Sequence, residues 1–266
     1  APRWWRATPV PWEQQLNENV GLVVWFERYE SLAGGQRRQI EVPISTGTAF
    51  AIGRDGVMVT NRHVTEPPTP ASRPMPDGFE LRGRPVLRVC FGPSPDDHFT
   101  ARVVHQSADY DLAVLEVPRT FAHPLRLARE PVGRSTPVMA VGFPGVVQRL
   151  GFAANPAHQD ERLLEAERTG RLSYADWFTP DSFEPVVTSG VISGVNRVVD
   201  ESLYYLFDAK VGQGNSGGPL LRRESDEVIG IVSLKAGGGR SSPEEEGYNY
   251  ALALPQLLPE LHRYTP

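Results

Sequence analysis

The sequence predicts an all-β fold, built as a sandwich or as barrels. Three observations carry that expectation. Short apolar runs rich in Val, Ile and aromatic residues recur along most of the 266 residues. Turn residues separate them at regular intervals, the pattern of an all-β domain. Asp55-Gly56 between two such runs reads as a tight hairpin turn.

Taken in order, the expected strands cover 20–25, 48–52, 57–60, 85–91, 101–104, 112–117, 137–141, 186–193, 203–207, 228–234 and 248–254. Trp4, Trp5 and Trp12 lie among prolines at the start; they either cover a barrel end, the favoured reading because exposed aromatics need a partner, or form an oligomer contact. Residues 119–137 are rich in Pro, Arg and polar residues and form the expected connection between two lobes. Residues 145–185 break the pattern. There Asn155 can cap a helix, Pro156 suits its first turn, and Gly170 can end it. Tyr174, Trp177 and Phe178 follow. This insertion is either a surface element packing its own aromatics or a regulatory or docking loop. A second short helix is expected at about 255–263. The whole chain, 1–266, is read as a single domain, with lobe 1 at about 13–120 and lobe 2 at about 135–266.

Composition narrows the function classes. The chain is 40% hydrophobic and 22% charged, with a net charge of −5, ordinary values for a globular domain. That charge offers no footprint for nucleic acid. No apolar run approaches the ~18 residues that span a membrane. The start shows no apolar secretory segment, which fits a mature chain, an excised domain or a cytosolic protein. Cys90 is the one cysteine, so no internal disulfide is available; it is read as a small buried apolar residue. Absent disulfides allow the cytosol, and also a periplasmic or secreted location. His63, His98, His105, His123, His158 and His262 lack metal-ligand spacing, and no phosphate-binding glycine loop is present. No cofactor or metal is expected.

The segment Gly212-Gln213-Gly214-Asn215-Ser216-Gly217-Gly218-Pro219 presents a serine on a glycine-rich turn. A serine hydroxyl is a poor nucleophile without a base and an orienting acid. Both stand upstream: His63 in Thr60-Asn61-Arg62-His63-Val64, and Asp111 in Tyr110-Asp111-Leu112-Ala113. The order His, Asp, Ser is one of the known chain orders for a triad. His63 would act as general base and acid, Asp111 would orient it, and Ser216 would attack. Asp109 is a rival for Asp111. The oxyanion-binding segment is Gly214, Asn215 and Ser216, with the N–H groups of Gly214 and Ser216 aimed at the developing charge.

These motifs together resemble chymotrypsin-fold serine proteases, most closely the HtrA/Deg-type bacterial branch. Gly47-Thr48-Ala49-Phe50 through His63-Val64 is similar to that branch's histidine motif, Asp111-Leu112-Ala113-Val114-Leu115 to its aspartate motif, and Gly214-Asn215-Ser216-Gly217-Gly218 to its nucleophile motif. Thr188-Ser189-Gly190-Val191-Ile192-Ser193 resembles a strand of its second barrel. The resemblance spans about 18–260, and favours Asp111 over Asp109. It implies two six-stranded antiparallel β-barrels, with a short C-terminal helix and a partly helical insertion, and hydrolysis of polypeptides. Members of the branch usually continue into a PDZ domain, and this sequence holds none, so the looser label of trypsin-like peptidase is the expectation.

The resemblance also implies a substrate pocket. Lys210, six residues before Ser216, maps to its base, and Ser233, Leu234 and Lys235 map to the strand that pairs with substrate. Lys210 and Lys235 are the chain's two lysines, and they imply a preference for Asp or Glu before the scissile bond. Asn215 stands where digestive members carry Asp, so activation by a new N-terminal amine is not expected. Two other classes compete: a catalytically silent peptide-binding protein of the same fold, and an esterase, whose usual Ser, Asp, His order is reversed here.

Overall fold

A computed structural model describes residues 11–33, 36–68, 78–145, 171–172, 178, 180–197, 202–234 and 249–265. Helix α1 (Trp12–Asn19) leads into eight strands of the first lobe: β1 (Val20–Ala33), β2 (Gln36–Ala51), β3 (Val57–Thr60), β4 (Glu80–Leu81), β5 (Val86–Cys90), β6 (His98–Thr100), β7 (Arg102–Gln106) and β8 (Ala113–Glu116). Beyond these come β9 (Pro137–Gly142), β10 (Arg171–Leu172), β11 (Val186–Arg197), β12 (Leu203–Phe207), β13 (Pro219–Arg222), β14 (Glu227–Val232) and β15 (Asn249–Ala253). A 3-10 turn, Leu254–Leu257, leads into helix α2 (Leu258–Leu261).

The second lobe is a closed six-stranded barrel, in the order β11-β12-β15-β14-β13-β9. The first lobe follows the path β6-β5-β1-β2-β3-β8-β7. Its two ends are successive segments of chain, parted only by Ala101. Thr100 pairs with Arg88 of β5 and the Ala101 N–H donates to Leu87, whereas Arg102 pairs with Glu116 of β8. One bent strand therefore serves both ends of the sheet and curls it into a second barrel-like layer.

Burial on two faces explains the near-continuous apolar run of β1. Side chains alternate across a strand. Val23 and Trp25 enter the first lobe's core with Leu87, Val89 and Leu115. Leu22, Val24 and Phe26 face the other way and pack with Val141, Phe143, Leu252 and Leu257 between the lobes. β9 does the same from its side: Val138 and Ala140 fill the second barrel, while Met139 and Val141 join the interlobe core. Each Val, Leu or Phe fully buried there contributes roughly 1.5–3 kcal/mol.

Two differences from the sequence expectations have clear causes. The β1–β2 hairpin runs far beyond its apolar segment, because cross-strand ion pairs replace apolar contacts. Arg28 faces Glu41 and bonds it at 3.2 Å, and Arg37 binds Glu30 at 2.6 Å. β13 has no strand signal of its own, being four residues that pair with both β14 and β9.

The connection expected at 119–137 does cross between lobes. Phe121 and Leu125 donate backbone bonds to Arg54 and Ala51 of lobe 1, and Ala128 donates to Val228 of lobe 2. Trp12 opens α1 and packs on the interlobe core; Trp4 and Trp5 lie outside the described residues. So does the helix expected at 157–169, with Tyr174 and Trp177. From the same insertion, Phe178 packs edge-on against Phe26 of β1 at 6.2 Å, and β10 pairs in parallel with Gln39 and Ile40 of β2. Among the described residues no helix is long and apolar enough to cross a membrane.

Candidate active site

His63 sits on a 3-10 turn, Arg62–Thr65, directly after β3. The turn is pinned from three sides. Trp25 Nε1 donates to the Val64 carbonyl at 2.9 Å, Asn61 Nδ2 donates to the Asp111 carbonyl at 2.9 Å, and Gln106 Nε2 donates to Thr65 Oγ1 at 2.8 Å. β3 pairs with β8, so the end of one strand and the start of the other bring His63 and Asp111 together.

The Asp111 carboxylate accepts three hydrogen bonds. His63 gives two, from its backbone N–H to Oδ1 at 3.0 Å and from Nδ1 to Oδ2 at 2.8 Å. The third comes from Ser233 Oγ to Oδ2 at 3.0 Å. Burial is the largest single influence on this carboxyl and acts to raise its pKa. The hydrogen bonds and charge of His63, with the Ser233 hydroxyl, together outweigh it and hold the group below its ordinary range. With Nδ1 donating to Asp111, Nε2 is left as the acceptor that a general base needs. Asp109 is exposed, and its backbone N–H donates to Ser107 Oγ in a local turn.

Ser216 is 7% exposed on a turn whose geometry demands glycine on both sides. Gly214 has φ +101°, and a Cβ there would meet the Phe143 carbonyl oxygen at 2.2 Å. Gly217 has φ +88°, and a Cβ there would meet Thr60 Oγ1 at 2.1 Å. Backbone bonds from Gly217 to Val232, and from Val232 to Gly218, stitch the turn to β14.

The carbonyl of Gln213 accepts from Gly145 N–H at 2.7 Å. In a trans peptide C=O and N–H point in opposite directions, so Gly214 N–H points away from Gly145. The N–H groups of Gly214 and Ser216 have no acceptor among the described residues. The Asn215 N–H donates instead to the Gly212 carbonyl at 3.0 Å. Asn215 is therefore not an oxyanion donor: it shapes the turn. Ser216 Oγ accepts from Leu234 N–H at 3.4 Å and makes no hydrogen bond to His63. That contact is at the long limit and leaves the hydroxyl free to turn toward the imidazole.

His63, Ser216, Gly214, Gln213, Leu234 and Ile44 line one cleft of about 380 Å³. The substrate residues expected from sequence fare unevenly. Leu234 lines this cleft. Ser233 does not: it is 1% exposed, and its hydroxyl serves Asp111. Lys210 is exposed and outside the cleft lining, and its carbonyl accepts from Thr188 Oγ1 at 2.6 Å. A long ammonium stem leads to water unless a counter-charge holds it. Lys235 lies outside the described residues. Cys90 is fully buried in β5, and burial pushes its thiol far up, which makes it inert. Among the described residues no group of three or more His, Cys, Asp or Glu side chains could hold a metal ion.

Sequence reasoning missed Thr48 and the orienting role of Ser233. Thr48 is fully buried. Its hydroxyl donates to the Gly214 carbonyl at 2.7 Å, and its N–H donates to the Ser216 carbonyl at 2.9 Å. Thr48 stands within the histidine motif and Ser233 in the strand expected to pair with substrate, but nothing in their neighbours foretells these distant hydrogen bonds.

A family model described as a trypsin-like peptidase domain matches residues 47–231. Serine protease Rv3671c of Mycobacterium tuberculosis is 32% identical over 186 residues, which cover 70% of this chain and 35% of that protein. Mitochondrial serine protease HTRA2 of Bos taurus is 27% identical over 230 residues, covering 84% and 37%. The chain thus spans about a third of the length of these relatives. The crystal structure of the M. tuberculosis Rv3671c protease in its active form matches with a TM-score of 0.52 at 21% identity, covering 96% of this chain and 87% of that one. The crystal structure of Deg5 matches with a TM-score of 0.56 at 20% identity, covering 94% and 92%. At such identities these two structures speak for the fold alone.

Proposed function

We propose, from the premise that this chain belongs to the trypsin-like peptidase domain family, that it is a serine endopeptidase working through His63, Asp111 and Ser216. One observation carries the reading. A histidine held by a half-buried carboxylate, a serine on a turn framed by two positive-φ glycines, and two backbone N–H groups without acceptors among the described residues come together at one cleft.

The chemistry follows from those positions. His63 Nε2 takes the Ser216 proton as Oγ attacks the scissile carbonyl, and Asp111 steadies the imidazolium that forms. The oxyanion receives the N–H groups of Gly214 and Ser216. As the tetrahedral species collapses, His63 passes its proton to the departing amine and an acyl-enzyme remains. Water then enters with His63 again as base, and the acid product leaves. The Ser216–His63 hydrogen bond forms as substrate seats, since catalytic bonds are often loose without it.

The finer reading is a preference for Asp or Glu before the scissile bond. What supports it is sequence position: Lys235 directly follows Leu234, which lines the cleft, whereas Lys210 is exposed outside that lining. A fluorophosphonate probe tests the main reading: labelling at Ser216, lost in Ser216→Ala together with peptide cleavage, is the expected result. Absence of labelling in a folded chain would instead favour a silent peptide-binding protein. Cleavage of a diverse peptide library tests the finer reading, and a basic or apolar preference would overturn it.

A further inference from the structure

Ser107 opens the turn that ends at Asp111, and all its polar atoms are engaged around that residue. Its N–H donates to the Leu112 carbonyl at 2.9 Å, closing the loop across Asp111. Its carbonyl accepts from Arg62 Nη1 at 2.8 Å, and Arg62 is the residue before His63. Its hydroxyl oxygen accepts from the N–H groups of Asp109, at 3.2 Å, and Tyr110, at 3.0 Å. The single hydroxyl proton goes to Glu260 Oε1, at 2.9 Å, on helix α2. The other oxygen of Glu260 meets His105 Nε2 at 2.6 Å.

A serine hydroxyl has one proton and two lone pairs on a freely turning bond. Glu260 takes the proton, and this sets the rotor so that both lone pairs face the loop N–H groups. Without Glu260 the proton has no fixed direction, and the turn loses its internal cap. The partners are 153 residues apart and bridge the last helix to the catalytic loop.

We propose that Glu260 is a positioning residue for Asp111, acting through Ser107, so that helix α2 sets the geometry of the His63–Asp111 pair. Its catalytic consequence rests on the serine-endopeptidase reading; its geometric consequence does not. The test uses the full chain, with Glu260→Ala, Glu260→Gln and Ser107→Ala. One readout is the far-downfield proton NMR line of His63 Nδ1–H, identified by its loss in His63→Ala. The other is kcat and KM on a cleaved peptide, per Ser216 titrated with fluorophosphonate.

In Glu260→Ala the line is expected to broaden or move, and kcat per titrated site to fall at least tenfold with KM within twofold. Glu260→Gln keeps an acceptor for Ser107 and is expected to recover most of the loss. Ser107→Ala is expected to reproduce it, and the double variant to be no worse than either single one. Ser107→Ala decides the matter where Glu260→Ala does not fold. An unmoved line with kcat within twofold would overturn the proposal, as would additive losses in the double variant. A moved line in a chain whose parent neither labels nor cleaves would sustain it while ending the endopeptidase reading.

Discussion

Thr48 Oγ1 donates to the carbonyl of Gly214 at 2.7 Å, so a first-lobe strand holds the turn that carries Ser216. The same oxygen accepts from Phe143 N–H at 3.3 Å, and the Thr48 carbonyl accepts from Thr60 Oγ1 at 2.7 Å. One buried threonine thus joins β2, the end of β9 and the turn that carries Ser216.

Thr48→Val keeps the shape and removes the hydroxyl. The Gly214 carbonyl and the Phe143 N–H then lose their partner in a buried place. A loss of ~1–3 kcal/mol in unfolding free energy is expected for such unpaired groups, together with lower kcat. Thr48→Ser is expected to restore both. Urea unfolding and peptide turnover check this.

Gly214→Ala places a methyl 2.2 Å from the Phe143 carbonyl oxygen, at a φ of +101° that alanine resists. The turn must shift and the Gly214 N–H moves with it. A fall of about 10²–10³ in kcat, the cost of losing one oxyanion donor, is expected. Turnover measured per folded molecule, with folding followed by circular dichroism, is the check.

Asp111→Asn keeps the volume and loses the charge. Because the amide cannot hold His63 in the same tautomer, kcat is expected to drop about 10⁴-fold. A linked effect appears in stability. The folded carboxyl lies below its ordinary value of 3.8, so its contribution is present above that pH and lost as pH falls through the folded value. The parent's melting temperature relative to Asp111→Asn is expected to be highest above about pH 4 and to decline below it. Parallel thermal scans from pH 2 to 7 would show it, and a flat difference would count against the placement of the charge.

Asn215 is 4% exposed, and its Oδ1 has no hydrogen-bond partner among the described residues. Asn215→Asp would bury a charge where Oδ1 has no partner among the described residues, and a loss of roughly 3 kcal/mol or more in stability is expected. With a neutral amide here, exposing a fresh N-terminal amine by trimming is not expected to raise kcat. A variant stabilised by the aspartate, and activated by such trimming, would contradict both statements.

Much of this was legible in the sequence because it is local. Short runs of β-branched residues announce β3 and β5, the aromatic-rich run Leu203–Phe207 announces β12, and ion-paired Glu and Arg hide how far β1 extends. The Gly-flanked serine is legible for the same reason, since Gly214 and Gly217 take backbone angles that other residues avoid. Lys210 shows the limit of sequence position: an offset says where the Cα runs, and this residue is exposed outside the cleft lining.

The sequence by itself determined the all-β class and the trypsin-like peptidase family, and it singled out His63, Asp111 and Ser216 as the candidates. Only the tertiary structure decided what holds them. It joined β6 and β7 through Ala101, gave the Ser233 hydroxyl to Asp111 across 122 residues, and set Thr48 against Gly214 across 166. It also turned the Asn215 N–H into the turn, leaving Gly214 and Ser216 to face the cleft. The physical reason is range. Strand period and turn chemistry are written in neighbouring residues, whereas a buried polar group takes whichever distant partner the packed lobes bring within 3 Å.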